Sequence, residues 1–129
     1  GAVVFADPGS RGKLEGITHP RIFARMAERI TDLAAQGHEL AVVSAPLMIE
    51  SGSYRNYAGI AVVTCPEEVQ LARLMARDGF DEAAARARMN SQMPQADKAA
   101  LGDVVIDNGG TVEQTATQVR GWLDAILAG

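Results

Sequence analysis

Hydrophobic positions along this chain follow two periods in alternation. Leu40-Ala41-Val42-Val43, Gly59-Ile60-Ala61-Val62-Val63 and Asp103-Val104-Val105-Ile106-Asp107 are short apolar runs bounded by turn residues. Runs this short, rich in paired valines, predict inner strands of a parallel sheet. Around them the period becomes helical. Ile22, Met26, Ile30 and Leu33 form one stripe and predict a helix over Pro20–Gln36, closed by Gly37. Asp7-Pro8 predicts a shorter helix over Pro8–Glu15, and Thr18-His19-Pro20 is expected to break the chain between the two. Val69, Leu71, Leu74 and Met75 mark a helix over Pro66–Arg77 that stops at Asp78-Gly79. An alanine-rich helix capped by Asp81 follows; it buries little and suits a mobile flap. A short helix over Gln95–Leu101 comes next. Val112, Ala116, Val119, Leu123 and Ile126, with Trp122 beside them, predict the last helix, Thr111–Leu127. Strands alternating with helices give an α/β fold with a parallel sheet flanked by helices.

In such sheets ligands bind beyond the carboxyl ends of the strands. Three segments fall there. Ser44 to Glu50 is an unusually apolar loop in which Pro46 stops the strand and Leu47, Met48 and Ile49 follow. It reads equally as the lip of a pocket and as packing beneath a helix. Thr64-Cys65-Pro66-Glu67-Glu68 is a compact strand-to-helix junction, in which Glu68 could complete a capping box with Cys65. Asn108-Gly109-Gly110 is a turn whose residues tolerate positive φ.

Composition narrows the function classes. A chain of 129 residues, 47% hydrophobic, fits one domain with a real core. Its net charge of −4 and pI near 5.1 argue against bulk attraction to nucleic acid or an anionic membrane. No apolar run approaches the roughly 20 residues of a membrane span, and no signal peptide is visible. Cys65 is the single cysteine, so a reducing compartment is expected, and it has no basic neighbour to make it a nucleophile. Gly1-Ala2-Val3-Val4-Phe5 reads like the middle of a protein.

Two features suggest ligands. His19 is either a structural hydrogen-bonder between helices or a ligand-contacting group at a helix N-terminus, where anions are favoured. His38, beside a cap glycine, is expected to be solvated. Arg73, Arg77, Arg86 and Arg88 crowd one stretch of an acidic protein. Arg73 and Arg77, four apart, repel each other, and a phosphate between them would relieve that. The competing reading is a solvated basic face balanced by Asp78, Asp81 and Glu82.

Taken together, the chain resembles dephospho-coenzyme A kinases nearly end to end. Val4-Phe5-Ala6-Asp7-Pro8 with Leu14-Glu15-Gly16-Ile17-Thr18-His19-Pro20 is similar to that family's substrate-domain signature. Pro46-Leu47-Met48-Ile49-Glu50 resembles its Pro-Leu-Leu-x-Glu loop, and Pro66 to Gly79 resembles the helix entering its lid. Gln92, Lys98 and Asp103 to Gly109 continue the match in order. The resemblance implies a P-loop kinase fold: a helical substrate subdomain over 1–37, a nucleotide-binding core over 38–76 and 102–129, and a lid over 77–101. It also implies a cytoplasmic enzyme that uses ATP and Mg²⁺ to phosphorylate the ribose 3′-hydroxyl of dephospho-coenzyme A, the last step of coenzyme A synthesis. By that resemblance Arg77 would be catalytic, acting on the transferring phosphates. Asn108 and Gly109 would lie near the adenine of ATP. His19, Pro20, Pro46, Leu47 and Glu50 would lie on the substrate side, with Arg88, Gln92 and Lys98 in the lid. An alternative is a non-catalytic nucleotide- or coenzyme A-binding or assembly module.

One departure is large. The family's Gly-x-x-x-x-Gly-Lys-Ser/Thr phosphate loop, with its strand, its magnesium-binding hydroxyl and the acidic residue that follows, is absent from these 129 residues. This chain alone is therefore expected to be inactive and to supply no Mg²⁺ ligands. Smaller departures are Ser44 and Gly102. By the resemblance the missing strand would lie between Leu40–Val43 and Ile60–Val63, leaving a gap on the order of 9–10 Å. Three outcomes are expected: a complementing or domain-swapped chain fills it, the sheet closes into a new three-stranded arrangement, or the chain is a partial form.

Overall fold

The structure is a computed structural model that describes residues 7–129. The opening Gly1–Phe5 stretch and the Val4-Phe5-Ala6 part of the signature lie outside the described residues. The chain divides into two compact units, Gly1–Ser44 and Ala45–Gly129.

The first unit is built on one helix, α1, Pro8–Ala35. Asp7 starts it: its carboxylate accepts from the Gly9 and Ser10 amides at 3.2 and 2.9 Å and from the Ser10 hydroxyl at 2.6 Å. The expected break at Thr18-His19-Pro20 does not occur, and Pro20 sits inside the helix. Proline forfeits one i→i−4 bond and costs about 3 kcal/mol in a helix interior, and here the helix continues through it. Gln36 caps the far end, and Gly37, at φ +85°, donates to the Ala34 carbonyl at 3.0 Å.

Leu40–Val43 corrects a second expectation. It forms no strand, and Val42 is 63% exposed. A strand is stable only when a neighbour satisfies its amides and carbonyls, and no other strand occurs among the described residues of this unit.

The second unit holds the sheet, which has two strands rather than three. β1, Ala61–Thr64, pairs in parallel with β2, Val104–Asp107, in the register Ala61↔Val104 to Thr64↔Asp107. A turn of 3₁₀ helix, Ser53–Asn56, precedes β1. The crossover carries α2, Glu67–Asp78, α3, Glu82–Asn90, and α4, Gln95–Ala99; α5, Val112–Ala128, follows β2. α4 packs on β1, α5 on β2, and α2 against α3. Ile49, Val62, Leu71, Ala85 and Ile106 are the buried apolar side chains. The apolar loop therefore contributes Ile49 to the core while Leu47 stays exposed.

Most helix ends in this unit follow local chemistry, while α2 and α4 start on Pro66 and Pro94 without a side-chain cap. Asp81 accepts from the Ala84 amide at 2.8 Å to start α3, and Gly79, at φ +69°, ends α2. The expected Cys65–Glu68 box does not form. Pro66 is the cap of α2, and its ring offers no acceptor. The Cys65 amide that a glutamate would have bonded is taken instead by Gln95 Oε1 at 3.0 Å.

Candidate functional site

The carboxyl ends of β1 and β2 present the Thr64–Pro66 junction and the Asn108–Gly109 turn. The Asn108 amide extends the ladder, donating to the Thr64 carbonyl at 2.7 Å. The Thr115 hydroxyl bonds the Asn108 carboxamide oxygen at 3.0 Å, and the Gly109 amide donates to Asp107 Oδ1 at 2.7 Å. A side chain at Gly109 would place its Cβ 2.6 Å from Pro66 Cδ, so only glycine lets the turn close onto the β1–α2 junction. Arg73 Nη1, on α2, donates to the Asn108 carbonyl at 2.7 Å.

Two glutamine carboxamides close the outer edges of the strands. Gln95 bonds both the amide and the carbonyl of Cys65, at 3.0 and 3.2 Å, and donates to Gln70 at 2.7 Å. Gln118 does the same to Asp107, at 2.9 and 2.8 Å. Each mimics a neighbouring strand and satisfies edge groups that would otherwise lack partners.

The arginine cluster is largely balanced by its surroundings. Arg77, in the last turn of α2, forks onto Asp78 at 2.8 and 3.0 Å. Each raises the other's charged fraction: hydrogen bonding to Asp78 lifts the Arg77 pKa, and that to Arg77 holds Asp78 below its ordinary range, with Arg88 adding to it. Arg86 bonds Glu82 at 2.8 Å and Glu67 at 3.3 Å. Arg73 and Arg77 thus keep apart by taking different partners, which favours the internally paired reading of this face.

Glu50, Lys98 and Gln92, far apart in sequence, come together. Lys98 Nζ lies 2.6 Å from Glu50 Oε1 and 3.4 Å from Gln92 Oε1, and the Met93 amide donates to Glu50 at 3.4 Å. The Lys98 and Glu50 side chains are 16% and 22% exposed. Partial burial opposes the charge on Glu50, but the Lys98 ammonium and backbone amides outweigh it and hold its carboxyl below the ordinary range. Pro46 and Leu47 begin the same loop and stay exposed.

His19 and Pro20 belong to the other unit. His19 is neither between helices nor at a helix N-terminus, as the two sequence readings had it, but mid-helix, edge-on to Phe23 with ring centroids 6.0 Å apart. Among the described residues, no three His, Cys, Asp or Glu gather as a metal group, and no helix is long and apolar enough to cross a membrane. Thr115, Gln95 and Gln118 escaped the sequence reading of the site, as did the bond from Arg73, itself a candidate phosphate ligand there, to Asn108. Arg73 and Gln95 act across 35 and 30 residues, separations that leave no local signal.

Comparison with known proteins identifies the family. The family model described as dephospho-CoA kinase matches residues 1–114. A dephospho-CoA kinase of Syntrophotalea carbinolica is 46% identical over 98% of this chain and 60% of its own length. One of Geobacter sulfurreducens is 41% identical over 93% of this chain and 61% of its own. The crystal structure of TT1252 from Thermus thermophilus superposes with a TM-score of 0.77 at 28% identity, over 96% of this chain and 63% of that one. The dephospho-CoA kinase from Campylobacter jejuni superposes at 0.64 with 30% identity, over 97% and 62%. The chain thus spans about 60% of the length of the relatives it matches, and it belongs to the dephospho-CoA kinase family.

Proposed function

We propose that this chain is the substrate-and-lid portion of a cytoplasmic dephospho-CoA kinase, an enzyme moving the ATP γ-phosphoryl group to the ribose 3′-hydroxyl of dephospho-coenzyme A. The single observation that supports this best is the joining of the Asn108–Gly109 turn to the arginine-bearing helix α2 at the carboxyl edge of a parallel sheet, within a family match over 1–114. On this reading the fold is a P-loop kinase core without its central strand. Residues 1–37 are the substrate subdomain, 38–76 and 102–129 the core, and 77–101 the lid.

The residues then divide the work. Asn108 and Gly109 receive the adenine. Arg77 exchanges Asp78 for phosphate oxygens, an exchange its 73% exposed side chain permits, and offsets charge as the phosphoryl group moves. His19, Pro20, Pro46, Leu47 and Glu50 serve the dephospho-coenzyme A side, and Arg88, Gln92 and Lys98 the lid. On this reading Mg²⁺ would enter with ATP; no three His, Cys, Asp or Glu gather as a metal group among the described residues of this chain. With no phosphate-loop motif in its 129 residues, the chain by itself binds without turnover.

The test is to incubate the chain with ATP, Mg²⁺ and dephospho-coenzyme A, measure coenzyme A formed, and titrate each ligand by calorimetry. Binding with no product is expected. Product formation would overturn the inactivity, and binding of neither ligand would overturn the substrate assignment.

A further inference from the structure

We infer that Arg73 is a positioning residue that pins the Asn108–Gly109 turn to α2 and so sets the spacing between that turn and Arg77. This rests on the adenine-nucleotide reading above. The turn is tied to β1 through Thr64, to β2 through Asp107 and to α5 through Thr115. Its hydrogen bond to α2 comes from Arg73, donated to the Asn108 carbonyl at 2.7 Å. A guanidinium donor makes this a charge-assisted bond, stronger than a neutral one. Among the described residues no carboxylate pairs with Arg73, so the carbonyl is its one fixed partner.

Arg77 follows one helical turn later, about 6 Å along the axis. A rigid helix therefore carries both the pin for the turn and the arginine assigned to the phosphates. Gly109 lies close to Pro66, the N-cap of α2, with no room for a Cβ between them. Loss of the Arg73 bond removes the turn's hydrogen bond to the helix and leaves the Gly109–Pro66 packing and the ties to β1, β2 and α5.

The experiment uses the 129-residue chain and its Arg73→Met, Arg73→Lys and Arg77→Met variants. Adenosine and ADP are titrated against each, and exchange of the Asn108 and Gly109 amides is followed by NMR. Arg73→Met is expected to weaken adenosine and ADP by the same factor, about tenfold, and to speed exchange at Gly109. Arg73→Lys, which keeps a donor, recovers most of both. Arg77→Met is expected to weaken ADP and leave adenosine unchanged. Arg73→Met with wild-type affinity and exchange would overturn the inference and leave the nucleotide reading standing. A wild-type chain that binds neither probe would overturn the nucleotide reading, and with it the role assigned to Arg73.

Discussion

The two units of this chain have similar apolar patterning and very different burial. Every buried apolar side chain described, Ile49, Val62, Leu71, Ala85 and Ile106, lies in Ala45–Gly129. In the other unit Leu14, Ile17, Ile22, Phe23 and Val42 are between 40% and 63% exposed, while Met26, Ile30 and Leu33 of the α1 stripe are half-buried. α1 is a 28-residue helix held by its own ladder and caps, whereas β1 and β2 are four-residue strands held by tertiary contacts. The difference teaches that an apolar stripe specifies which face of an element is to be covered, not how completely it is covered. A helix satisfies its backbone hydrogen bonds internally. Strands do not, which is why Leu40–Val43 lacks regular structure while Ala61–Thr64 is a strand.

That contrast can be broken most sharply in the core. Ile106, 2% exposed, should lose about 3 kcal/mol on Ile106→Ala, read by urea unfolding. Ile22→Ala, at a half-exposed position, should shift stability by no more than about 0.5 kcal/mol. Equal losses would show that the α1 stripe is covered in solution.

Next in size is the Glu50–Lys98 pair. Lys98→Met should cost about 1–2 kcal/mol, because Glu50 is left half-buried without its cation. A double-mutant cycle with Glu50→Gln measures the coupling. The pH dependence has a definite sign. The Glu50 carboxyl lies below its ordinary 4.5 in the folded chain. Its contribution is therefore full above pH 4.5 and is lost as pH falls through the folded value. The gap between wild type and Glu50→Gln should close on acidification below pH 4.5; a gap constant with pH would exclude a charge-based role.

A cap in each unit sharpens the comparison further. Thr111 and Gln114 form a reciprocal capping box on α5, at 3.2 and 2.8 Å. Thr111→Ala should cost about 1 kcal/mol in global unfolding. Asp7→Ala should have the smallest effect: faster exchange of the Gly9 and Ser10 amides, with the urea midpoint unchanged.

Legibility followed the range of the forces. Asp7, Gly37, Gly79 and Asp81 announced helix ends because each cap is settled within a few residues. The Thr111-x-x-Gln114 box was equally legible but went unread. Strands β1 and β2 were readable from paired valines bounded by turns. Pro20 misled because a local penalty was overruled by the helix around it. Cys65–Glu68 misled because Gln95 reached the Cys65 amide first. For the candidate site, family motifs located the positions of Arg77, Asn108, Gly109, Glu50 and Lys98, but not their partners.

By itself the sequence determined where most helices lie, several of their ends, the two strand segments Ala61–Thr64 and Val104–Asp107, and membership of the kinase family, since these depend on local chemistry or on motif order. Only the tertiary structure decided that Lys98 meets Glu50, that Arg73 holds Asn108, and that Gln95 and Gln118 close the strand edges. Those pairings join residues 11 to 48 positions apart. Which partner each finds depends on how the strands and helices stack, and no periodicity within one element carries that information.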